Sequence, residues 1–334
     1  MGKRSWQIIA VVLLIVSATG LIVLAFTLRD FDWEILRKTT PKYLGIILFL
    51  SALSTALYTL EVYAFLRGSG FRASIWRTYL ILTSSMSVNY VTPLKVGIPI
   101  RIYLYRRFIQ IPVSIGTALV ATETLVGMII PAIFAMAGII ILFPEIGLSA
   151  PILLLVVLLS STGLILRVKP ERVTQLLARF LPSRFRQRIT EFIGNVQVGF
   201  RSVSKWTLTG VTCILLLNLA VTSARLYFIV HMLGYVVDPM SVFYVRVISV
   251  TVSSASMIPM GLGVRDASVA LLLVKLGLPS GIALSSTLVE RLLSPGWPLL
   301  LGIISANILG PLEMLRVPGC SSETEIRAPN ERAT

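Results

Sequence analysis

Glu123 and Glu290 are the residues of this chain best placed to do chemistry, because each is an acid inside a long apolar run. Glu123 falls within residues 113–143 and Glu290 within 281–309, and each follows a proline, Pro112 or Pro279, by eleven positions. A charged side chain at the centre of a bilayer costs on the order of 2.5 to 3.5 kcal/mol on insertion scales, so an acid there needs a cation or a polar cavity. Lys95 and Arg101 are the cations in reach of Glu123, and Arg225, Arg265 and Arg291 those in reach of Glu290, with Asp266 as a third acid beside Arg265. Two uses fit this set. The charges either form ion pairs that lock a helical bundle, or line a mixed-charge cavity for a zwitterionic or phosphate-bearing headgroup. In the second case Arg and Lys would take phosphate and Glu would take an amine. Arg246 stands close enough to the end of its run to snorkel toward the interface, and His231 falls near the outer end of its run.

The acids and arginines are accompanied by helix breakers. Pro93, Gly97 and Pro99 interrupt the first half of the chain, and Pro259, Gly261 and Gly263 the second. Backbone groups that lose their helical hydrogen bonds are excluded from lipid unless they line a protein cavity or pack against protein. Transporters build substrate sites from such broken helices, with half-helix ends directed at the ligand. Tight packing of small residues is the structural alternative.

These features sit in a chain that reads as membrane throughout. Of 334 residues, 55% are hydrophobic and 13% charged, and the mean hydropathy is +0.86, which excludes an ordinary soluble domain. A helix needs about 20 apolar residues to cross hydrocarbon. Candidate runs lie at 7–28, 43–66, 76–91, 113–143, 148–168, 207–233, 240–258 and 281–309, with shorter segments at 99–109 and 264–276. The first run lacks a small-residue cleavage site and is expected to remain as a span. The expected fold is an all-α, polytopic membrane bundle with broken or re-entrant helices.

Matching landmarks recur at a slowly drifting offset. Tyr63 and Tyr227, like Gly70 and Gly234, are 164 apart; Pro93 and Pro259, like Gly97 and Gly263, are 166 apart; Pro112 and Pro279, like Glu123 and Glu290, are 167 apart. That pattern predicts two pseudo-symmetric repeats, about 43–143 and 207–309, within one membrane domain spanning 1–312, followed by a polar tail at 313–334. The formal charge is +15, and between 167 and 205 nine basic residues face only Glu171 and Glu191. Such excess marks a cytoplasmic loop. Val173, Leu176, Leu177, Phe180 and Leu181 have helical spacing there, so the linker at 169–206 is expected to lie as an amphipathic helix on anionic inner-leaflet headgroups. Nucleic acid is not expected as a partner. Placing every basic cluster inside favours an inverted over a parallel arrangement of the repeats, in a multi-pass protein of the cell membrane.

Catalytic signatures are missing. No phosphate-binding G-x-x-x-x-G-K-[ST], no H-E-x-x-H and no Cys/His metal spacing occurs, and Cys213 and Cys320 form no framework. Neither an enzymatic activity nor a cofactor or metal is expected.

The segment 258–266, Ile-Pro-Met-Gly-Leu-Gly-Val-Arg-Asp, followed by Glu290, Arg291 and Pro298, resembles the second-half signature of the lysylphosphatidylglycerol synthase transmembrane family, the flippase-like proteins. Asn89, Pro93, Lys95, Gly97 and Arg101 resemble its first-half signature. Ile98 stands where that family usually has an acid, Lys95 where it has arginine, Thr124 where a basic residue is common and Asp266 where it has glutamate. The resemblance implies an integral membrane protein that binds or moves a lipid: an anionic, aminoacylated or polyprenyl-phosphate lipid. Lys95, Arg101, Glu123, Arg265, Asp266, Glu290 and Arg291 are the expected headgroup ligands. No aminoacyl-transferase domain is expected after the last span. The alternatives are the membrane module of a lipid-linked glycosyltransferase system, with such an enzyme as partner, and a structural scaffold. The charge pattern places both termini and the linker in the cytoplasm. With Cys213 and Cys320 replaced by serine, cysteines introduced at Ser183 and Ser321 should resist an impermeant maleimide in intact cells and react after permeabilisation.

Overall fold

The structure, a computed structural model, describes residues 41–91, 96–146, 204–255, 263–294 and 296–314. Lys95, Pro93, Pro259 and Gly261, the runs at 7–28 and 148–168, nearly all of the basic linker and the polar tail lie outside the described residues. Those described form nine α-helices and no strand. In chain order they are α1 (Pro41–Gly68), α2 (Ile75–Val91), α3 (Gly97–Phe108), α4 (Val113–Leu142), α5 (Lys205–Met232), α6 (Pro239–Ala255), α7 (Val264–Lys275), α8 (Ser280–Leu293) and α9 (Gly296–Met314).

Four stretches of helix, α1, α4, α5 and the α8–α9 pair over Ser280–Gly310, are long and apolar enough to cross a membrane. The expected all-α membrane bundle is what the chain forms. Large apolar side chains such as Phe49, Leu271, Ile141 and Leu300 point outward, which suits hydrocarbon rather than water. The run at 281–309 is one expected span but two helices, with α8 ending at Leu293 and α9 starting at Gly296. The sequence across the boundary, Ser294-Pro295-Gly296 with Pro298 just beyond, supplies the reason: a proline lacks the helical N–H donor and its ring clashes with the carbonyl four residues back, yet it is tolerated in the first turn of a new helix.

The helices pair in length across the chain. α1 and α5 have 28 residues each, α2 and α6 have 17, and α3 and α7 have 12. Their ends match too: α1, α3, α5 and α7 are each followed by a residue with positive φ, Gly70, Gln110, Gly234 and Gly277. In each case the next amide reaches back to a carbonyl in the last turn, as Phe71 N–H does to Leu66 and Tyr235 N–H to Val230, capping groups that hydrocarbon would leave unpaired.

α1 packs chiefly on α5, α2 on α9 and α4 on α6. The first of these pairs is antiparallel, since Gly68 at the end of α1 faces Thr207 at the start of α5, and Tyr43 at the start of α1 meets His231 near the end of α5. They cross where Ser54 Oγ donates to Asn218 Oδ1 at 2.7 Å, positions 164 residues apart. Small residues let the backbones approach. A Cβ on Gly302 would overlap Ser87 on α2, and one on Gly138 would press on Tyr244 of α6. Two apolar clusters flank the centre, one of α1 to α4 and α9 side chains around Leu80, Ile81 and Tyr105, the other of α4 to α8 side chains around Val245, Leu226 and Leu273.

Gly97, expected as a helix breaker, opens α3, and a Cβ there would overlap the Ser85 carbonyl and the Asn89 side chain. Gly45 has nothing within 4 Å of its notional Cβ. Gly97→Ala should therefore lower thermal stability in detergent by the equivalent of about 1–3 kcal/mol, the usual cost of overpacking, while Gly45→Ala leaves it unchanged or higher.

Candidate functional site

The ionisable residues of the apolar runs gather into two clusters on the walls of one central cavity. In the first, Arg101 of α3 makes a two-pronged bond to Glu123 of α4, with its Nη atoms 3.0 and 2.5 Å from Oε1 and Oε2. The Tyr58 hydroxyl on α1 also donates to Glu123 Oε1, at 2.9 Å. Arg101 spends its remaining Nε–H on the Tyr105 hydroxyl at 2.7 Å. Glu123 stands ten residues into α4, about 15 Å along its axis, and both members of the pair are buried. Three N–H groups of this guanidinium are engaged, one from each nitrogen, and the pair carries no net charge.

The second cluster is unbalanced. Glu290 of α8 receives Arg225 of α5 in the same two-pronged way, at 3.0 and 2.6 Å. Its Oε1 also accepts from Arg246 Nη1 of α6 and Arg265 Nη2 of α7, both at 3.1 Å. Three guanidiniums around one carboxylate leave two formal positive charges in a region where Glu290 is only 2% exposed. Arg246 Nε–H is buried and has no acceptor among the described residues. Arg265 also donates to Ser294 Oγ at 3.1 Å, at the junction of α8 and α9. Arg291 does not join Glu290; it bonds Asp266 Oδ2 at 2.6 Å, one turn into α7. Asp266 in turn accepts the N–H of Gly263, whose φ of 78° starts that helix. The Asp266–Arg291 pair thus fixes the entry into α7 and holds Arg265 over Glu290.

The cavity between the clusters has a volume of about 480 Å³. Tyr58, Arg101 and Glu123 line one side, Arg225 and Arg246 the other, and Asn89, Tyr90 and Asn218 lie between them. Arg265, Glu290, Asp266 and Arg291 line a small adjoining recess that shares Tyr90 with the cavity. The sequence-selected residues Arg101, Glu123, Arg265, Asp266, Glu290 and Arg291 are therefore brought to one region, through two ion clusters rather than one. Gly97 and Gly263 begin the short helices that carry Arg101 and Arg265.

Two placements, those of Arg246 and Arg291, differ from the sequence-based expectation, while His231 lies near the end of its run as expected. Arg246 does not snorkel; it turns inward because Glu290 offers a buried counter-charge, which is cheaper than an unpaired cation in lipid. Arg291 serves Asp266 instead of Glu290. His231 stacks on Tyr227 and meets Tyr43 edge-on at the end of α5. Glu61 was overlooked: this acid within the run at 43–66 lines the cavity at 2% exposure. A charge inside an apolar run was the available signal, and Glu61 stands 164 residues before Arg225, the offset of the other landmarks.

Residues 7–302 match the family described as the lysylphosphatidylglycerol synthase TM region. The chain belongs to that family. It is also similar to a "UPF0104 membrane protein" of Methanocaldococcus jannaschii, with 20% identity over 318 residues that cover 89% of this chain and 94% of the relative. The protein is an integral membrane protein of a lipid-related family, and the cavity lies within the matched region.

Breaking a buried pair leaves an uncompensated charge, at a typical cost of about 3–5 kcal/mol. Glu123→Gln should accordingly lower the unfolding midpoint in detergent far more than Lys275→Ala, which removes an exposed 2.8 Å pair with Glu145 and a contact with the Phe143 ring.

Proposed function

We propose that the central cavity binds the phosphate of a membrane lipid headgroup and passes it between leaflets, without nucleotide hydrolysis. The observation that carries this reading is the surplus of guanidinium over carboxylate at Glu290, with Arg246 Nε–H unpartnered among the described residues. A phosphate supplies acceptor oxygens and negative charge together, and guanidinium matches it in two-pronged geometry. Arg225 and Arg246 face the cavity while Glu290 anchors them from behind. Arg101 and Glu123, already mutually satisfied, hold the opposite wall. Their part is structural rather than ligand-binding, since a saturated pair offers a headgroup little. The substrate class is an anionic, aminoacylated or polyprenyl-phosphate lipid, in keeping with the lipid-related family.

We further infer that residues 43–143 and 207–309 are copies of one unit in inverted order. Equal helix lengths and the antiparallel course of α1 and α5 support this, because parallel copies would point equivalent helices the same way. An inverted pair offers two alternative packings around a central site, which is what alternating access requires. The cytoplasmic membrane, with the basic linker on its anionic inner face, is the setting that suits the charge pattern.

Arg246→Ala is the informative change, because Glu290 keeps two guanidiniums without it. Hydrogen bonds to charged groups contribute about 1.5–3 kcal/mol, so anionic-lipid binding should weaken by about ten- to a hundredfold, with a matching loss of lipid translocation in proteoliposomes and little change in thermal unfolding. Arg246→Lys should recover only part of the affinity. Wild-type lipid binding and translocation in a variant that melts many degrees lower would make the cluster structural and remove the transport reading.

A further inference from the structure

One buried acid of the cavity has no part in either cluster. Glu61 of α1 is 2% exposed, lines the cavity, and has no hydrogen bond or ion pair among the described residues. Its polar neighbours are committed elsewhere. Arg101 gives its nitrogens to Glu123 and Tyr105, Tyr58 gives its hydroxyl to Glu123, and Arg225 gives two nitrogens to Glu290. The titratable and charged groups that line the same cavity are Tyr58 on its own helix, Tyr90 on α2, Arg101 on α3, Glu123 on α4, Arg225 on α5 and Arg246 on α6. Of these, Glu123 opposes ionisation of Glu61 and the arginines favour it.

Two constraints act on such a carboxyl. Removal from water and the like charge of Glu123 favour the neutral acid, while Arg101 and, from across the cavity, the surplus positive charge at the Glu290 cluster favour the carboxylate. The balance therefore depends on whether that surplus is cancelled by something else. We propose that Glu61 is a proton-binding site that takes up a proton when an anionic headgroup enters the cavity, so that lipid and proton bind together. This rests on the headgroup reading above. With the phosphate on Arg225 and Arg246, the positive potential across the cavity falls and a Glu61 carboxylate oxygen gains a proton from bulk water. On release of the headgroup the proton returns to water, and no other bond changes. A gradient of protons would then drive the lipid in the direction the protons run.

Coupling between two ligands is reciprocal, which makes the proposal measurable. The probe is short-chain phosphatidylglycerol, whose phosphodiester keeps its charge from mildly acidic to alkaline pH, titrated over that whole range against the full-length protein in phosphatidylcholine nanodiscs. Wild-type affinity should rise on acidification, approaching about tenfold per pH unit in the steepest part if one proton is coupled. A pH indicator in weak buffer should report proton uptake on binding. Glu61→Gln, which mimics the neutral acid, should bind with a flat pH profile and no proton uptake. Glu61→Asp should keep a displaced profile, which also shows that position 61 tolerates change. A flat wild-type profile, or a Glu61→Gln profile equal to the wild type's, overturns the proposal. So does a variant that loses only phosphatidylethanolamine, because Glu61 would then seat an ammonium group. Absence of anionic-lipid binding to the wild type at every pH would instead remove the headgroup reading itself.

Discussion

Inside hydrocarbon a formal charge must be met by an opposite charge or by a polar cavity, and the arrangement of this bundle follows from the way Glu290 meets that demand. Four helices converge on one carboxylate: α8 supplies it, and α5, α6 and α7 each bring a guanidinium. Removing the acid would strand two buried cations and a partly buried one, so these helices are tied to a common point more firmly than apolar contact between lipid-facing helices could tie them. The Asp266–Arg291 bond then sets the start of α7 and keeps Arg265 in line.

The two halves solve the same problem with different stoichiometry. Around Glu123 the charges cancel and a tyrosine hydroxyl completes the carboxylate's coordination. Around Glu290 they do not cancel, and the imbalance faces a cavity that is also lined by Glu61, an acid with no partner among the described residues. A bundle that needed only rigidity would gain nothing from excess positive charge in a low-dielectric interior. An anion entering the cavity would neutralise that imbalance, which is the physical basis of the headgroup proposal for the second cluster.

Helices that start or stop within the membrane make this possible. α3 and α7 have 12 residues each, too short to cross alone, and each delivers an arginine to the interior from its first turns. Close contact at Gly97 lets α3 lie against α2, and the positive φ of Gly263 turns the chain into α7. The boundary between α8 and α9 serves a related end, because Ser294 at that junction accepts a bond from Arg265.

Much of this was legible in the sequence because membrane burial imposes simple rules. Apolar runs of sufficient length must be helices, and Glu123, Glu290, Arg101 and Arg265 are conspicuous within or beside them. The drifting offset pointed to paired elements, and the glycine and proline positions to short helices. What the sequence left open is which charge meets which. Spacing along a helix says how deep a residue lies but not which neighbouring helix faces it, so spacing alone allots Arg291 to Glu290 and Arg246 to the interface, whereas the fold gives Arg291 to Asp266 and Arg246 to Glu290. Glu61 escaped notice because a single acid in a long apolar run looks like a tolerated exception until packing shows it lining a cavity with its neighbours already paired. Depth and helix content are properties of one segment's hydropathy, and the sequence determined them. Charge balance is a property of six helices meeting, and only the tertiary structure decided it.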